Sequence, residues 1–397
     1  MATSVVEGVL AAETGREARV GTAAWAAYAC VFASVCVVLG VEWDISWHMT
    51  IGRDTFWTPA HLAIYLGGAV SGLACGATVL RTTFLGSPAE RATAVGVWGF
   101  RGPLGAWVAI WGAVAMITSA PFDNWWHDAY GLDVKILSPP HTLLLLGIIS
   151  IQFGALLLMA SCQNRARGAE RTAFGRLFAV AGGLLVATAA IAIYEHASRP
   201  NSFHSSLFYQ VTGAVFPVFL VAAGRAGALR WPATTAAIVY TIGRLLLIWI
   251  LPLFEGRPLL APIYNPVDHF VAPPFPLLLV VPALLIDVLL RRLGDGRDGV
   301  LALAIGAAFP LALLAVSWPF GDFLLSEHAR NAFFGADQWA YTSRLGDWRY
   351  EFWDLDVVGD EWSAPAFAKG MAIAVAFAAV SARIGLWWGN GMRRVVR

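Results

Sequence analysis

The sequence predicts an all-α fold, a polytopic membrane helical bundle of about ten transmembrane helices, with a duplicated helical hairpin in its N-terminal part. Three observations carry that reading. The chain of 397 residues is 58% apolar and only 13% charged, whereas soluble domains keep about a quarter of their residues charged. Ten apolar runs begin near Thr22, Thr58, Gly102, Ser138, Phe174, Ser206, Trp231, Pro273, Gly299 and Pro365, each near the ~20 residues that cross hydrocarbon. Arginine, finally, is concentrated in every second connection.

The first run reads as an uncleaved anchor. Before it, Glu7, Glu13 and Glu17 are mixed with Arg16 and Arg19, without the basic, apolar and small-residue order of a cleavable signal. The arginine-rich connections carry Arg81, Arg91 and Arg101; Arg165, Arg167 and Arg171; Arg225 and Arg230; Arg291, Arg292 and Arg297; and, after the last run, Arg393, Arg394 and Arg397. The positive-inside rule therefore places both termini in the cytoplasm of a multi-pass protein of the cell's inner membrane. The alternate connections face outward and hold all eight histidines. The longest, residues 318–363, has nine acidic residues against three arginines and reads as an extracytoplasmic cap or a loop lying on the headgroups.

A net charge of +1 offers no basic face to nucleic acid, so the bilayer is the expected partner. Cys30, Cys36, Cys75 and Cys162 form no CxxC pair and indicate neither a disulfide framework nor a thiolate zinc site. The stretch Gly294-Asp295-Gly296-Arg297-Asp298-Gly299 lacks the strand and lysine of a phosphate loop and reads as a tight turn. Arg244 and Asp287 fall inside apolar runs, where each needs an interior partner, and their depths match poorly as a pair.

The chemistry lies in a pattern that occurs twice, in hairpin repeats 22–80 and 102–161. The first copy has Asp44 and His48, then Gly52 and Asp54, then Thr58-Pro59-Ala60-His61; the second has Asp123 and His127, then Gly131 and Asp133, then Ser138-Pro139-Pro140-His141. Residues four apart share a helix face, so Asp44 points with His48 and Asp123 with His127. Thr58 and Ser138 suit N-caps followed by proline at the first helical position. His61 and His141 then sit in the first turn of the following helix. Each hairpin can converge one carboxylate and two imidazoles, the donor set of copper, non-haem iron or zinc, with Asp54 and Asp133 as supporting groups. Helix capping, hydrogen bonding in a wet vestibule and the aromatic belt account for the same residue types without a metal.

At Asp44, His48 and His61 the spacing Asp-x3-His-x12-His resembles the metal motif on the membrane helices of the copper membrane monooxygenases, the particulate methane and ammonia enzymes, where one of the membrane subunits bears it. The match covers about twenty residues, or about forty with the second copy, whose last spacing is one residue longer. The resemblance implies that Asp44, His48 and His61 are ligands, that copper is the ion, and that a small apolar substrate is oxidised near the bilayer. Electrons would come from an extracytoplasmic donor or quinol, with partner membrane subunits. Two other readings stand beside it: a copper-handling or transport protein that captures the ion at the outer mouth, and a structural subunit whose Asp and His groups bridge helices. His196 after Glu195, His204, His269 after Asp268 and His328 after Glu327 are weaker candidates for completing a second site, and bis-histidine haem ligation would want deeper histidines.

The topology is tested by cysteine-accessibility labelling. Single cysteines in the 165–171 connection and at both termini are expected to label from the cytoplasmic side and those in 318–363 from outside; labelling of the long loop only from the cytoplasm would invert the assignment.

Overall fold

The computed structural model describes residues 2–131, 138–197, 200–343 and 363–396, with side chains from residue 24 onward except those of 195, 200 and 201. Among the described residues, nine helices are long and apolar enough to cross a membrane: Ala24–Thr50 within α1 (Ala2–Thr50), α2 (Pro59–Phe84), α4 (Leu104–Tyr130), α5 (Pro139–Arg165), α6 (Gly168–Ala192), α8 (Ser206–Ala226), α9 (Pro232–Ile250) with the turn that follows it, α11 (Asp298–Leu325) and α12 (Ala364–Met392). Short helices α3 (Pro88–Thr93) and α7 (Tyr194–Ala197) lie in connections, and the run expected from Pro273 forms only α10 (Val280–Leu293). The chain is all-α and polytopic. A small hairpin of β1 (Val95–Val97) and β2 (Phe100–Gly102) was not foreseen; it turns on Trp98-Gly99, both at positive φ, as two-residue hairpin turns require.

The chain divides into two compact units. The first comprises Met1–Val37, Ile64–Ala181 and Met392–Arg397. Its closest packing is between α4 and α5, where glycines meet in reciprocal pairs. A Cβ on Gly105 would lie 2.6 Å from the Gly154 carbonyl, and one on Gly112 would lie 2.7 Å from that of Gly147. Small residues at two-turn spacing let the backbones approach, the usual means of helix association in lipid. Asn164 ties down the last residues of the chain, its Nδ2 donating to the Met392 and Val395 carbonyls at 2.8 Å each.

The second unit comprises Val38–Ala63 and Gly182–Gly391. Phe208, Phe216, Leu220, Ile286, Ile305 and Phe309 belong to its fully buried core. Three intramembrane polar groups have their partners here. Asp287 does not pair with Arg244; it caps α9, accepting from Ala233 N at 3.2 Å, Thr234 N at 2.8 Å and Thr234 Oγ1 at 2.7 Å. A carboxylate at a helix N-terminus satisfies otherwise orphaned N–H groups and complements the helix dipole. Arg244 instead forms an ion pair with Glu42, which is fully buried in α1, and donates to the Pro274 carbonyl at 2.9 Å. Arg225 is clasped by Asp295 at 2.6 Å, Asp298 at 2.8 Å and Asn390 at 2.8 Å. The glycine-rich stretch is thus the tight turn expected, with Gly294 and Gly296 at φ +68° and +90°.

The run from Pro273 is not a full span because it opens with Pro273, Pro274 and Pro276, which supply no N–H for a helix. Non-helical backbone at membrane depth has to be satisfied inside the protein. Ser46 Oγ donates to the Val271 carbonyl at 2.6 Å, Thr50 Oγ1 accepts from Val271 N at 2.9 Å, and Tyr240 Oη accepts from Leu277 N at 3.0 Å. With Arg244 on Pro274, the polar side chains of α1 and α9 take over the role of the missing helical bonds.

Residues 344–362 and 132–137, which include Trp348, Trp353, Trp362 and Asp133, lie outside the described residues, as does the side chain of Glu195. The external connection begins later than expected, since α11 continues through Trp318 to Leu325.

Replacing Arg244 with Met strands a buried carboxylate and is expected to destabilise the protein by about 3–5 kcal/mol. The double change Arg244→Met, Glu42→Gln is expected to recover much of that loss. Thermal or chemical denaturation in detergent checks both; equal stability of the single variant and the wild type would remove the pair from the account.

Candidate metal centre

Both copies of the repeated pattern fold alike, each within one unit. In the second unit, α1 carries Asp44 and His48 in its last turns and ends after Thr50; Gly52 then adopts φ +82°. In the first unit, α4 carries Asp123 and His127 and ends at Gly131, which has φ +86° and donates its N–H to the His127 carbonyl at 3.0 Å. Glycine is needed at both positions because a Cβ is disfavoured at such φ. The following helices start on Pro59 and Pro139, so that His61 and His141 occupy first turns. Ser138 is the N-cap expected, its hydroxyl accepting from His141 N at 3.4 Å. Thr58 differs: its hydroxyl accepts from Thr55 N at 2.8 Å and closes the connecting turn instead.

In the second unit, His61 Nε2 lies 3.2 Å from Asp44 Oδ1 and 3.4 Å from Asp54 Oδ2. His48 is more peripheral, its Nε2 3.5 Å from Asp54 Oδ2 and 3.8 Å from Asp44 Oδ2, with 47% of its side chain exposed. Asp44, Asp54 and His61 each turn one donor atom into a group whose members all lie within 4.8 Å of one another. Asp54, expected from the sequence only as a supporting group, therefore stands among the direct donors. In the first unit, Asp123 sits between two imidazoles, with His127 Nε2 at 3.5 Å from Oδ2 and His141 Nε2 at 3.4 Å from Oδ1. These three residues form the other such group.

The hydrogen bonds behind the rings decide what the donors offer. His61 Nδ1 bonds the Thr55 carbonyl at 2.9 Å, and His127 Nδ1 bonds the Gly131 carbonyl at 3.2 Å. His48 bonds the backbone of Gly52, the equivalent position in its own copy. A carbonyl only accepts, so Nδ1 of His61 and His127 carries the proton. In the neutral ring Nε2 then presents a lone pair. Lone pairs of Nε2 and of carboxylate oxygens face one another at 3.2–3.5 Å, which requires either an imidazolium or a cation between them. Donors about 2.1 Å from a tetrahedral ion lie about 3.4 Å apart. The spacing of both clusters is that of ligands around a small divalent ion.

The sequence missed the orienting bonds from Thr55, Gly52 and Gly131. Their trace was present in the repeated His-x3-Gly spacing, because a glycine four residues after the histidine turns its backbone back toward the ring. The weaker histidines are elsewhere engaged: buried His204 pairs with Asp322 at 3.0 Å beside Trp318, and His269 pairs with Asp337 at 3.2 Å. His196 and His328 are exposed.

Comparison of the chain with known protein families, curated proteins and solved structures yields no match.

The hydrogen bond from His48 holds the Asp54 carboxyl below its ordinary range, with burial opposing and the charges of His48 and His61 reinforcing. A depressed folded value stabilises the fold above the ordinary carboxylate pKa of about 3.9 and is lost as pH falls through the folded value. Metal-free wild-type protein is expected to lose thermal stability on acidification through this window more steeply than Asp54→Asn. Parallel pH profiles for the two proteins would contradict the assignment.

Proposed function

We propose that this protein is a membrane metal-binding protein that holds a divalent transition metal at each Asp/His cluster: Asp44, Asp54 and His61 with His48 alongside, and Asp123, His127 and His141. The observation that carries the reading is the His61 ring, whose Nδ1 is committed to Thr55 while Nε2 faces two carboxylates. Two histidines with carboxylates suit copper, iron and zinc alike. Copper ranks first through the resemblance to the copper membrane monooxygenases.

On that resemblance the protein acts as a monooxygenase-like subunit on a small apolar substrate, with the clusters opening on the outer side of the inner membrane and electrons supplied from an extracytoplasmic donor or quinol. A bound copper ion would supply the redox chemistry. The chain's own residues would hold imidazole Nε2 and carboxylate oxygens in place and keep the histidines in one tautomer through the Thr55 and Gly131 carbonyls. The positions of the donors at helix ends leave them 20–47% exposed, open to an incoming ion or co-substrate.

A second reading, copper handling or transport, is favoured by the interrupted run before α10 and the buried Glu42–Arg244 pair beside it. Discontinuous helices and intramembrane charges recur in transporters at their transport sites. Uptake of copper into vesicles, set against oxidation of a small alkane or ammonia by membranes with an electron donor, separates the two.

Metal analysis after equilibration with copper, iron and zinc in turn tests the shared premise. Wild type is expected to hold one ion per cluster. His61→Ala or Asp44→Ala should empty one cluster, and His141→Ala or Asp123→Ala the other, with a loss of affinity beyond the ~10–100-fold that follows removal of an orienting partner. Helicity should be retained, because the residues lie at helix ends. Equal metal content in wild type and the His61→Ala, His141→Ala double variant would refute the assignment.

A further inference from the structure

The first unit brings together a second kind of donor, on residues that the Asp/His clusters do not use. Cys30 on α1 and Cys75 on α2 are both fully buried, and their sulfurs are 3.3 Å apart. The approach follows from the small residues of these helices. Gly67 admits α1 so closely that a Cβ there would lie 2.7 Å from the Ala33 carbonyl. The hydroxyls near the two thiols are committed to their own helices: Ser34 Oγ donates to the Cys30 carbonyl at 2.7 Å, Ser71 Oγ to that of Gly68 at 3.1 Å, and Thr78 Oγ1 to that of Ala74 at 2.8 Å. The sulfurs face each other.

We infer that Cys30 and Cys75 form an intramembrane binding site for a soft monovalent d10 cation, of the class of copper(I) and silver(I). Sulfur donors select such ions over the harder metals that suit carboxylate and imidazole. Two donors are enough for a two-coordinate ion but leave zinc, which takes four, half-bound. Charge points the same way. When a monocation enters, one S–H bond breaks and its proton leaves to solvent, one sulfur–metal bond forms to the thiolate, and the other thiol adds a lone pair. The site stays neutral and no electron is transferred, which spares the interior the cost of an uncompensated charge. A sulfur–metal distance of about 2.3 Å would part the sulfurs to about 4.6 Å in a linear pair, so the thiols open slightly to admit the ion. Full burial denies an external thiolate the approach that disulfide exchange needs, whereas a bare ion is small.

The test uses silver(I) and the full-length protein purified under reducing conditions, with Cys36→Ser and Cys162→Ser as background. Competition with a soluble thiol ligand, read by native mass spectrometry, is expected to give one silver(I) per chain and release of one proton per ion. Cys30→Ser or Cys75→Ser, each a one-atom change whose folding is checked by circular dichroism, should weaken binding at least 100-fold. The His61→Ala, His141→Ala protein should bind silver(I) as before, so this site and the Asp/His clusters stand or fall separately. Retention of affinity within threefold in either serine variant would overturn the proposal. So would a Cys30–Cys75 disulfide in protein isolated without reductant, detected as a 2 Da deficit with no silver(I) bound.

Discussion

A carboxylate at the end of an apolar helix has to be met by positive charge or by hydrogen-bond donors, and Asp44 and Asp123 impose that condition on everything around them. In each copy the answer is the same. The helix bearing the aspartate carries a histidine one turn later, a glycine with positive φ reverses the chain, and a proline-initiated helix returns a second histidine to the carboxylate. The carbonyls exposed where the chain turns, Thr55 O and Gly131 O, then lock a histidine ring in each copy. The turn is therefore part of the ligand geometry and does more than join two helices.

The second unit meets the same physical demand at greater depth. Proline removes donors from the stretch before α10, and Ser46, Thr50, Tyr240 and Arg244 pair with those backbone groups that remain. On α1, Glu42, Ser46 and Thr50 follow one another at four-residue spacing, while Asp44 and His48 follow a second such line. One helix end thus serves two tasks: one line of residues supports the interrupted backbone and the other presents donors to the metal cluster. A substitution that rotates or frays this end would disturb both.

The all-α class, the individual spans and the pairing of Asp44 with His61 and Asp123 with His141 were legible because they rest on local periodicity and on a pattern that repeats. The shortfall at Pro273 was also written in the sequence, since three prolines in four residues cannot open a buried helix unaided. Partner choice was not legible. Arg244 finds Glu42, 202 positions away, and Cys30 finds Cys75, 45 positions away. Such pairings depend on which helix faces meet, which the one-dimensional pattern does not encode. The promotion of Asp54 to a direct donor has the same origin: its side chain is placed by a loop whose path is fixed by Gly52 and Thr58, not by helical spacing.

The central claim, that the two Asp/His clusters are metal centres, is tested most directly by X-ray absorption on wild-type protein loaded with cobalt(II). The account predicts nearest neighbours of nitrogen and oxygen at about 2.1 Å, with the more distant scattering of imidazole and no sulfur. Failure to retain cobalt(II) through dialysis, or a spectrum without imidazole scattering, would contradict it.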